Sequence, residues 1–225
     1  MSLLETIEIQ TAPNPTAAVI WMHGLGADGN DFVPIVKELD LAGAPAIRFV
    51  FPHAPTRPVT INNGYVMRAW YDISFGDLEG NTRKADAQGV RESQAQIEAL
   101  IARENERGIA GSSIVLAGFS QGGAMALHTG LGHAQKLAGV MALSCYLPLA
   151  ESFAQEAAAA NSKTPVFMAH GMQDPVVPYA MGRASADMLQ RAGYPVEWHE
   201  YPMQHSVCLE EVADIGRWLG AVLDT

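Results

Sequence analysis

Apolar and polar positions along this chain follow two periods that take turns. Short β-like apolar runs occur at 17–22 ("AAVIWM"), 47–51, 113–117, 138–143, 165–169 and 196–201. Each predicts a strand. Between them, helical spacing appears near 31–39, 85–107, 121–131, 179–192 and 209–223. In the longest of these, Val90, Ile97, Leu100 and Ile101 fall on one helical face with polar residues between. Strands that are apolar almost throughout belong to a parallel sheet covered by helices on both faces. The pattern therefore predicts a doubly wound α/β sheet, whose ligands bind beyond the carboxyl ends of the strands. The Ala-rich stretch 153–164 reads as a further helix ending at Asn161.

One segment breaks the rhythm. Residues 52–83, "PHAPTRPVTINNGYVMRAWYDISFGDLEGNTR", form a long connection with little helical or strand pattern. Connections of this length inside a compact domain are functional or disordered. Val66, Met67, Trp70, Tyr71, Ile73 and Phe75 argue for a segment packed over something. A substrate-pocket wall is the preferred reading, with a plain packed loop as the alternative.

Composition narrows the class. A chain of 225 residues with 48% hydrophobic and 17% charged residues suits one globular domain spanning 1–225. A formal net charge of −10 argues against a nucleic-acid partner and against an anionic membrane surface. The opening "MSLLETIEIQ" shows no basic region followed by an apolar core, and no apolar run reaches bilayer length. The expectation is a cytoplasmic protein without stable membrane association. Its two cysteines, Cys145 and Cys208, are expected to stay reduced.

The junction "IVLAGFSQGGAMALHTG" carries the chemistry. An apolar strand run ends at Gly118-Phe119-Ser120-Gln121-Gly122-Gly123 and passes into a helical segment. This is G-x-S-x-G, a sharp strand-to-helix turn that lifts a serine hydroxyl above the sheet. Its neighbours two residues away must lack a Cβ, and Gly123 lets the helix approach the strands. The pentamer alone also fits a plain tight turn. A nucleophilic serine needs a base, and an acid to orient that base, later in the chain. Among seven histidines, His23 and His53 precede Ser120, and His128 and His133 lie too close after it. His199 sits inside a strand pattern, and His170 has only Glu151 and Glu156 available as intervening acids. His205, in "YPMQHSV" after the last strand, survives. Asp174, in "HGMQDPVVP", precedes it in the required order, whereas Asp187 and Asp214 read as solvated helix charges. A surface-loop histidine and a pre-proline turn former remain the alternative readings of these two residues. His170 reads as a brace for the Asp174 loop.

Acyl transfer also needs donors for an oxyanion. One is the backbone N–H of the residue after the serine, Gln121, acting through its backbone. The other is expected from "WMHGLGADGNDF", where a glycine-rich loop follows a strand and Leu25 is the candidate donor. A phosphate cradle is the rival reading of this loop, but it lacks both G-x-G-x-x-G spacing and a P-loop lysine.

Taken together, "VIWMHGLGADGNDF", "FPHAPTRPVTINNGYVMRAWYDI", "IVLAGFSQGGAMALHTGL", "ALSCYLPL", "HGMQDPVVP" and "YPMQHSV" resemble the phospholipase/carboxylesterase family of α/β-hydrolases, which includes the acyl-protein thioesterases. The compact length fits a bacterial carboxylesterase. The resemblance implies a mostly parallel central sheet with helices on both faces. It implies a triad of Ser120, Asp174 and His205, and oxyanion donors on Leu25 and Gln121. The implied reaction is hydrolysis of esters or thioesters with short to medium acyl chains, with no metal and no organic cofactor. Acyl-protein thioesterase or lysophospholipase activity is the alternative main role. By position, Trp70, Ile73, Leu147 and Val176 are the implied walls of the acyl groove. The implied partner is a small-molecule or acylated substrate, and a homodimer is left open. The rival from another class is a non-catalytic α/β binding protein, and a thiol enzyme using Cys145 or Cys208 ranks below it.

Overall fold

The computed structural model describes residues 3–74, 76 and 86–224. Phe75 and residues 77–83 of the long connection, like Ala85, lie outside the described residues. Six strands form as the apolar runs predict: β2 (Ala17–Met22), β3 (Ile47–Pro52), β6 (Ile114–Phe119), β7 (Gly139–Leu143), β8 (Val166–Gly171) and β9 (Val196–Tyr201). A further strand, β1 (Thr6–Gln10), pairs antiparallel with β3 and completes a seven-stranded sheet in the order β1-β3-β2-β6-β7-β8-β9. Its residues are half-buried or exposed at the sheet edge, which is why no apolar run marks it. All other pairings in this sheet are parallel.

Successive residues of a strand face opposite sides of a sheet, and both sides here are dry. Ile20, Val50, Leu116, Val140 and Met168 meet one set of helices: α1 (Ala87–Glu106), α2 (Gln121–Gly132) and α4 (Tyr179–Arg191). Val19, Phe49, Val115, Met141 and Phe167 meet α5 (Leu209–Leu223) through Val212, Ile215, Trp218 and Leu219. The chain runs outward from β2 to β3 and then returns to place β6 on the other side of β2. That reversal opens a crevice at the carboxyl ends of β2 and β6.

Three expectations change. The helix at 31–39 is a single tighter 3-10 stretch, Val33–Lys37, with Pro34 in its first turn. The Ala-rich stretch is not one helix. It forms α3 (Phe153–Glu156), an extended step at Ala157 and Ala158, and a 3-10 turn at Ala159–Asn161. Helix propensity loses there to tertiary bonding. Ala158 N–H donates to Leu131 O, and the buried Asn161 amide binds Leu137 N–H, His133 O and Gln135 O. Finally, the long connection contains an antiparallel hairpin, β4 (Thr56–Val59) and β5 (Tyr65–Arg68). Its turn uses Asn63 at φ 56° and Gly64 at φ 76°, and an Asn-Gly pair between apolar runs is a hairpin signal.

Candidate active site

The serine elbow is built from backbone geometry. Ser120 has φ 55° and ψ −122°, a conformation costing about 1–3 kcal/mol that survives only where the surroundings impose it. Its N–H donates to Leu143 O at the end of β7 (2.8 Å), and its carbonyl accepts from Ala124 N–H in α2 (3.0 Å). The glycines are sterically required. A Cβ on Gly118 would lie 2.2 Å from the Gly122 carbonyl carbon, and one on Gly122 would lie 2.3 Å from Met22 O. At Gly123 it would lie 2.9 Å from both Cys145 Sγ and Gly118 O, so α2 packs on the strand ends as expected. Ser120 thus begins a helix whose first N–H groups and dipole favour negative charge.

The loop after β2 lies against this serine. A Cβ on Gly24 would stand 3.4 Å from that of Ser120. Gly26 N–H is committed to Arg68 O (2.9 Å) and Ala27 N–H to Gly24 O (3.3 Å). Leu25 N–H has no such partner among the described residues, and Leu25 borders the same hollow as Ser120 and Gln121. His23 locks the loop from below. Its Nε2 accepts from Ala54 N–H (3.0 Å), so Nδ1 carries the proton that it gives to Gly24 O (2.7 Å). Burial pushes His23 down to about 4, which keeps it neutral.

Asp174 and His205 come together from the loops after β8 and β9. His205 Nδ1 donates to Asp174 Oδ2 at 2.6 Å. Asp174 Oδ1 accepts from Val176 N–H (2.8 Å) and Val177 N–H (2.9 Å), so one carboxylate oxygen is committed inside its own turn and the other faces the histidine. With Nδ1 protonated, His205 Nε2 is the bare nitrogen. The imidazole packs on Phe119, with ring centroids 4.7 Å apart, one residue from Ser120. His170 does brace the loop. Its Nε2 donates to Val177 O (2.9 Å), and burial lowers its pKa.

Two contributions escaped sequence reasoning. Gly171 is one: a Cβ there would lie 2.3 Å from Gln204 O, so its absence lets the Asp174 and His205 loops touch. The Gln121 side chain is the other. Besides its backbone position, its amide accepts from Trp70 N–H (2.8 Å) and donates to Tyr71 O (2.7 Å), pinning the long connection over the elbow. A glutamine immediately after the elbow serine was the available signal. Asp214 also differs from expectation. It accepts from Tyr201 Oη (2.6 Å) and pairs with His199 and Arg217 rather than standing in solvent.

Above Ser120 lies a hollow of about 170 Å³, walled by Leu25, Ile61, Tyr71, Ile73, Tyr146 and Val176. Ile73 and Val176 stand where predicted. Trp70 does not line it. Its indole is fully buried beneath, donating to His23 O at 2.9 Å. Leu147 also lies elsewhere, in a neighbouring depression, because its N–H is tied to Ser185 Oγ on α4 (2.9 Å). Cys145 is buried and its thiol is pushed far up by burial, which removes it as a nucleophile. Among the described residues no helix is long and apolar enough to cross a membrane.

A strained serine at a switch-point elbow, together with a carboxylate-oriented histidine on a parallel sheet, defines an α/β-hydrolase. The family model described as Phospholipase/Carboxylesterase matches residues 5–223, and the chain belongs to that family. It is 44% identical over 215 residues to an acyl-protein thioesterase 1 of Neurospora crassa, covering 91% of this chain and 86% of the relative. It is 38% identical over 230 residues to that of Cryptococcus neoformans, covering 96% of each. Among solved structures, Arabidopsis thaliana SOBER1 superposes with a TM-score of 0.83 at 30% identity, covering 92% of this chain and 99% of that one. Zea mays acyl-protein thioesterase 2 gives 0.82 at 27%, covering 97% and 99%. The protein is therefore an enzyme that hydrolyses esters or thioesters, and the non-catalytic reading falls.

Proposed function

We propose that the enzyme cleaves esters and thioesters of short to medium acyl chains through an acyl-enzyme on Ser120. His205 Nε2 takes the Ser120 proton as Oγ attacks the carbonyl carbon. Asp174 keeps the imidazole in the Nδ1–H tautomer and stabilises the imidazolium. The oxyanion is received by the Leu25 and Gln121 N–H groups, each donor contributing about 3–4 kcal/mol by comparison with such sites elsewhere. His205 then protonates the departing alcohol or thiol, and water repeats the cycle on the acyl-enzyme. No step calls on a metal or organic cofactor.

The observation that carries this reading is the 2.6 Å His205–Asp174 bond, with Asp174 Oδ1 already held by two backbone N–H groups and Phe119 bringing the imidazole beside the elbow. A fluorophosphonate probe is expected to modify Ser120 stoichiometrically, and Ser120→Ala to abolish both labelling and turnover of a p-nitrophenyl ester while remaining folded. Labelling elsewhere, or full turnover by the variant, would remove Ser120 from the role.

A second reading makes acylated proteins the main substrates. Its support is that the curated relatives described above are named acyl-protein thioesterases. Matched oxygen and sulfur esters of one acyl chain separate the two. A thioester preference that grows when the acyl group is carried on a peptide favours the protein substrate. In either case the substrate is a small or acylated molecule, and the net charge of −10 gives no support to nucleic-acid binding. A homodimer remains compatible with both readings.

A further inference from the structure

The loop after β2 is held from behind by residues that line a separate depression. This depression has a volume of about 440 Å³ and lies just beyond the carboxyl end of β3. Its walls come from the segment entering β1, the turn after β3, the base of the β4–β5 hairpin and α1. It shares no lining residue with the hollow over Ser120. Clefts of roughly 300 Å³ and above take small organic ligands, and those of doubly wound sheets lie beyond the carboxyl ends of the strands.

The charges around it do not neutralise one another by pairing. Arg68 gives one guanidinium N–H to Ala54 O (2.8 Å) and forms no ion pair among the described residues. Glu5, exposed at the rim, likewise forms none. His53 Nδ1 accepts from Gly29 N–H (3.1 Å), so the ring hydrogen is on Nε2. Gln96 Oε1 is buried without a hydrogen-bond partner among the described residues, a state that a bound donor relieves.

One depression therefore presents donors for a carboxylate, from Arg68 and His53, and acceptors for an ammonium, from Gln96 and Glu5. Leu4, Ala54 and Pro55 add apolar wall. A ligand with a carboxylate alone meets Glu5 and a chain of net charge −10, and one with an ammonium alone meets Arg68. A zwitterion satisfies both sets of groups and carries no net charge. In an α-amino acid the two charged groups share one carbon, which leaves the side chain for the apolar wall.

The same residues reach the oxyanion loop. Gly29 N–H donates to His53 Nδ1, Ala54 N–H to His23 Nε2 (3.0 Å) and Gly26 N–H to Arg68 O (2.9 Å). Leu25 stands between the second and third of these attachments. A ligand that grips Arg68 and His53 in this arrangement favours the loop conformation that goes with it.

We infer that this depression is a binding site for a small α-amino acid with an apolar side chain, and that its occupancy is transmitted to the loop after β2. The coupling rests on Leu25 being an oxyanion donor, whereas the binding does not.

Calorimetric titration of the full chain with leucine tests the site. A dissociation constant of about 1 mM is expected. Isopentylamine and isocaproate are leucine without its carboxylate and without its ammonium. Each is expected to bind about tenfold more weakly, because one set of polar groups then goes unmet. Arg68→Met and Gln96→Leu should weaken leucine about tenfold each. Glu5→Gln, at the rim, should weaken it about threefold. Saturating leucine is expected to raise kcat on butyryl p-nitrophenyl ester about fivefold, with KM changed by less than about twofold.

The site is overturned if leucine gives no saturable heat up to about 50 mM, or if isocaproate binds as tightly as leucine. It is also overturned if all three variants bind leucine as the wild type does. Because Glu5 is exposed, Glu5→Gln keeps that comparison available should a half-buried substitution unfold the chain. An unchanged kcat at saturating leucine overturns the coupling. Calorimetry does not depend on turnover. Leucine binding without fluorophosphonate labelling of Ser120 would therefore remove the Ser120 assignment and leave the site, and labelling without leucine binding would remove the site alone.

Discussion

Ser120 and Tyr146 sit on loops that leave neighbouring parallel strands, β6 and β7, and each loop holds a non-glycine residue at positive φ: Ser120 itself at 55° and Ser144 at 48°. The two loops are nonetheless secured in different ways. Around Ser120 the constraint is backbone against backbone, with Gly118, Gly122 and Gly123 each so close to main chain that a Cβ has no place. Around Tyr146 one anchor is again backbone, Ser144 N–H to Ala169 O, but the other is a side-chain bond in which Leu147 N–H donates to Ser185 Oγ, and the walls are aliphatic and methionine side chains. Backbone contacts cannot be repacked, whereas side-chain walls can. The elbow is thereby held still, and the walls of the neighbouring depressions are left where substitution is tolerated.

The largest effect expected from breaking the rigid half comes from Asp174→Asn. The amide cannot hold the imidazole in the working tautomer, and kcat is expected to fall about 10⁴-fold with the fold intact, by analogy with such dyads elsewhere. Steady-state kinetics beside a circular-dichroism melt checks both parts. Next is Gly122→Ala, whose Cβ would stand 2.3 Å from Met22 O. Forcing the elbow helix off β2 should cost about 3 kcal/mol or more, read as a lower denaturant midpoint together with lost activity.

Two pH effects are smaller and oppose each other in sign. His23 is held at about 4 by burial, against an unfolded value near 6.5. Between those values the unfolded chain binds the extra proton, so its contribution is present above pH 6.5 and is lost as the pH falls toward 4. His23→Gln, compared by melting temperature at pH 7 and 5, should lose less on acidification than the wild type. An equal loss would show that His23 is not the sensitive group. Glu211, at the start of α5, is pushed up to about 8 chiefly by burial, with Asp214 adding to the rise. Here the folded state binds the extra proton, so stability falls as pH rises from the ordinary carboxylate range through 8. Glu211→Gln should flatten the decline in melting temperature between pH 6.5 and 8.5.

The smallest effect belongs to the adaptable half. Val176 is 49% exposed at the rim of the hollow over Ser120. Val176→Ala is expected to reduce hexanoyl ester turnover about threefold, with an unchanged melting temperature, because only part of its apolar surface contacts a chain. A loss as large as that of Asp174→Asn would erase the distinction between the two halves.

How much was legible follows the same division. Strands β2 and β9 and helix α5 appear with the bounds their periodicity predicts, because a run buried on one or both faces carries its own signature. Edge strand β1 carries only a short one: Ile7 and Ile9 alternate with Glu8 and Gln10 and pack against the core, and pairing with β3 alone completes it. The Ala-rich stretch reads as helix from its composition and is broken by the Asn161 amide, a bond between residues over twenty positions apart. The proposed roles of Ser120, Asp174 and His205 could be read from the sequence because strand order and glycine spacing confine these residues to loops at one edge of the sheet. Trp70 and Leu147 were misplaced because their distance from Ser120 along the chain says nothing about which side of the connection or of α4 they face.

The sequence alone therefore determined the parallel sheet, the elbow and the order of the proposed reacting residues, since each follows from local periodicity or from glycines that only one backbone shape requires. Tertiary structure alone decided which side chains wall the hollow over Ser120, that the Gln121 amide pins the segment above the elbow, and that Tyr146 borders two depressions. Those outcomes depend on side chains from distant segments meeting across the carboxyl edge of the sheet, and no single stretch of sequence records such a meeting.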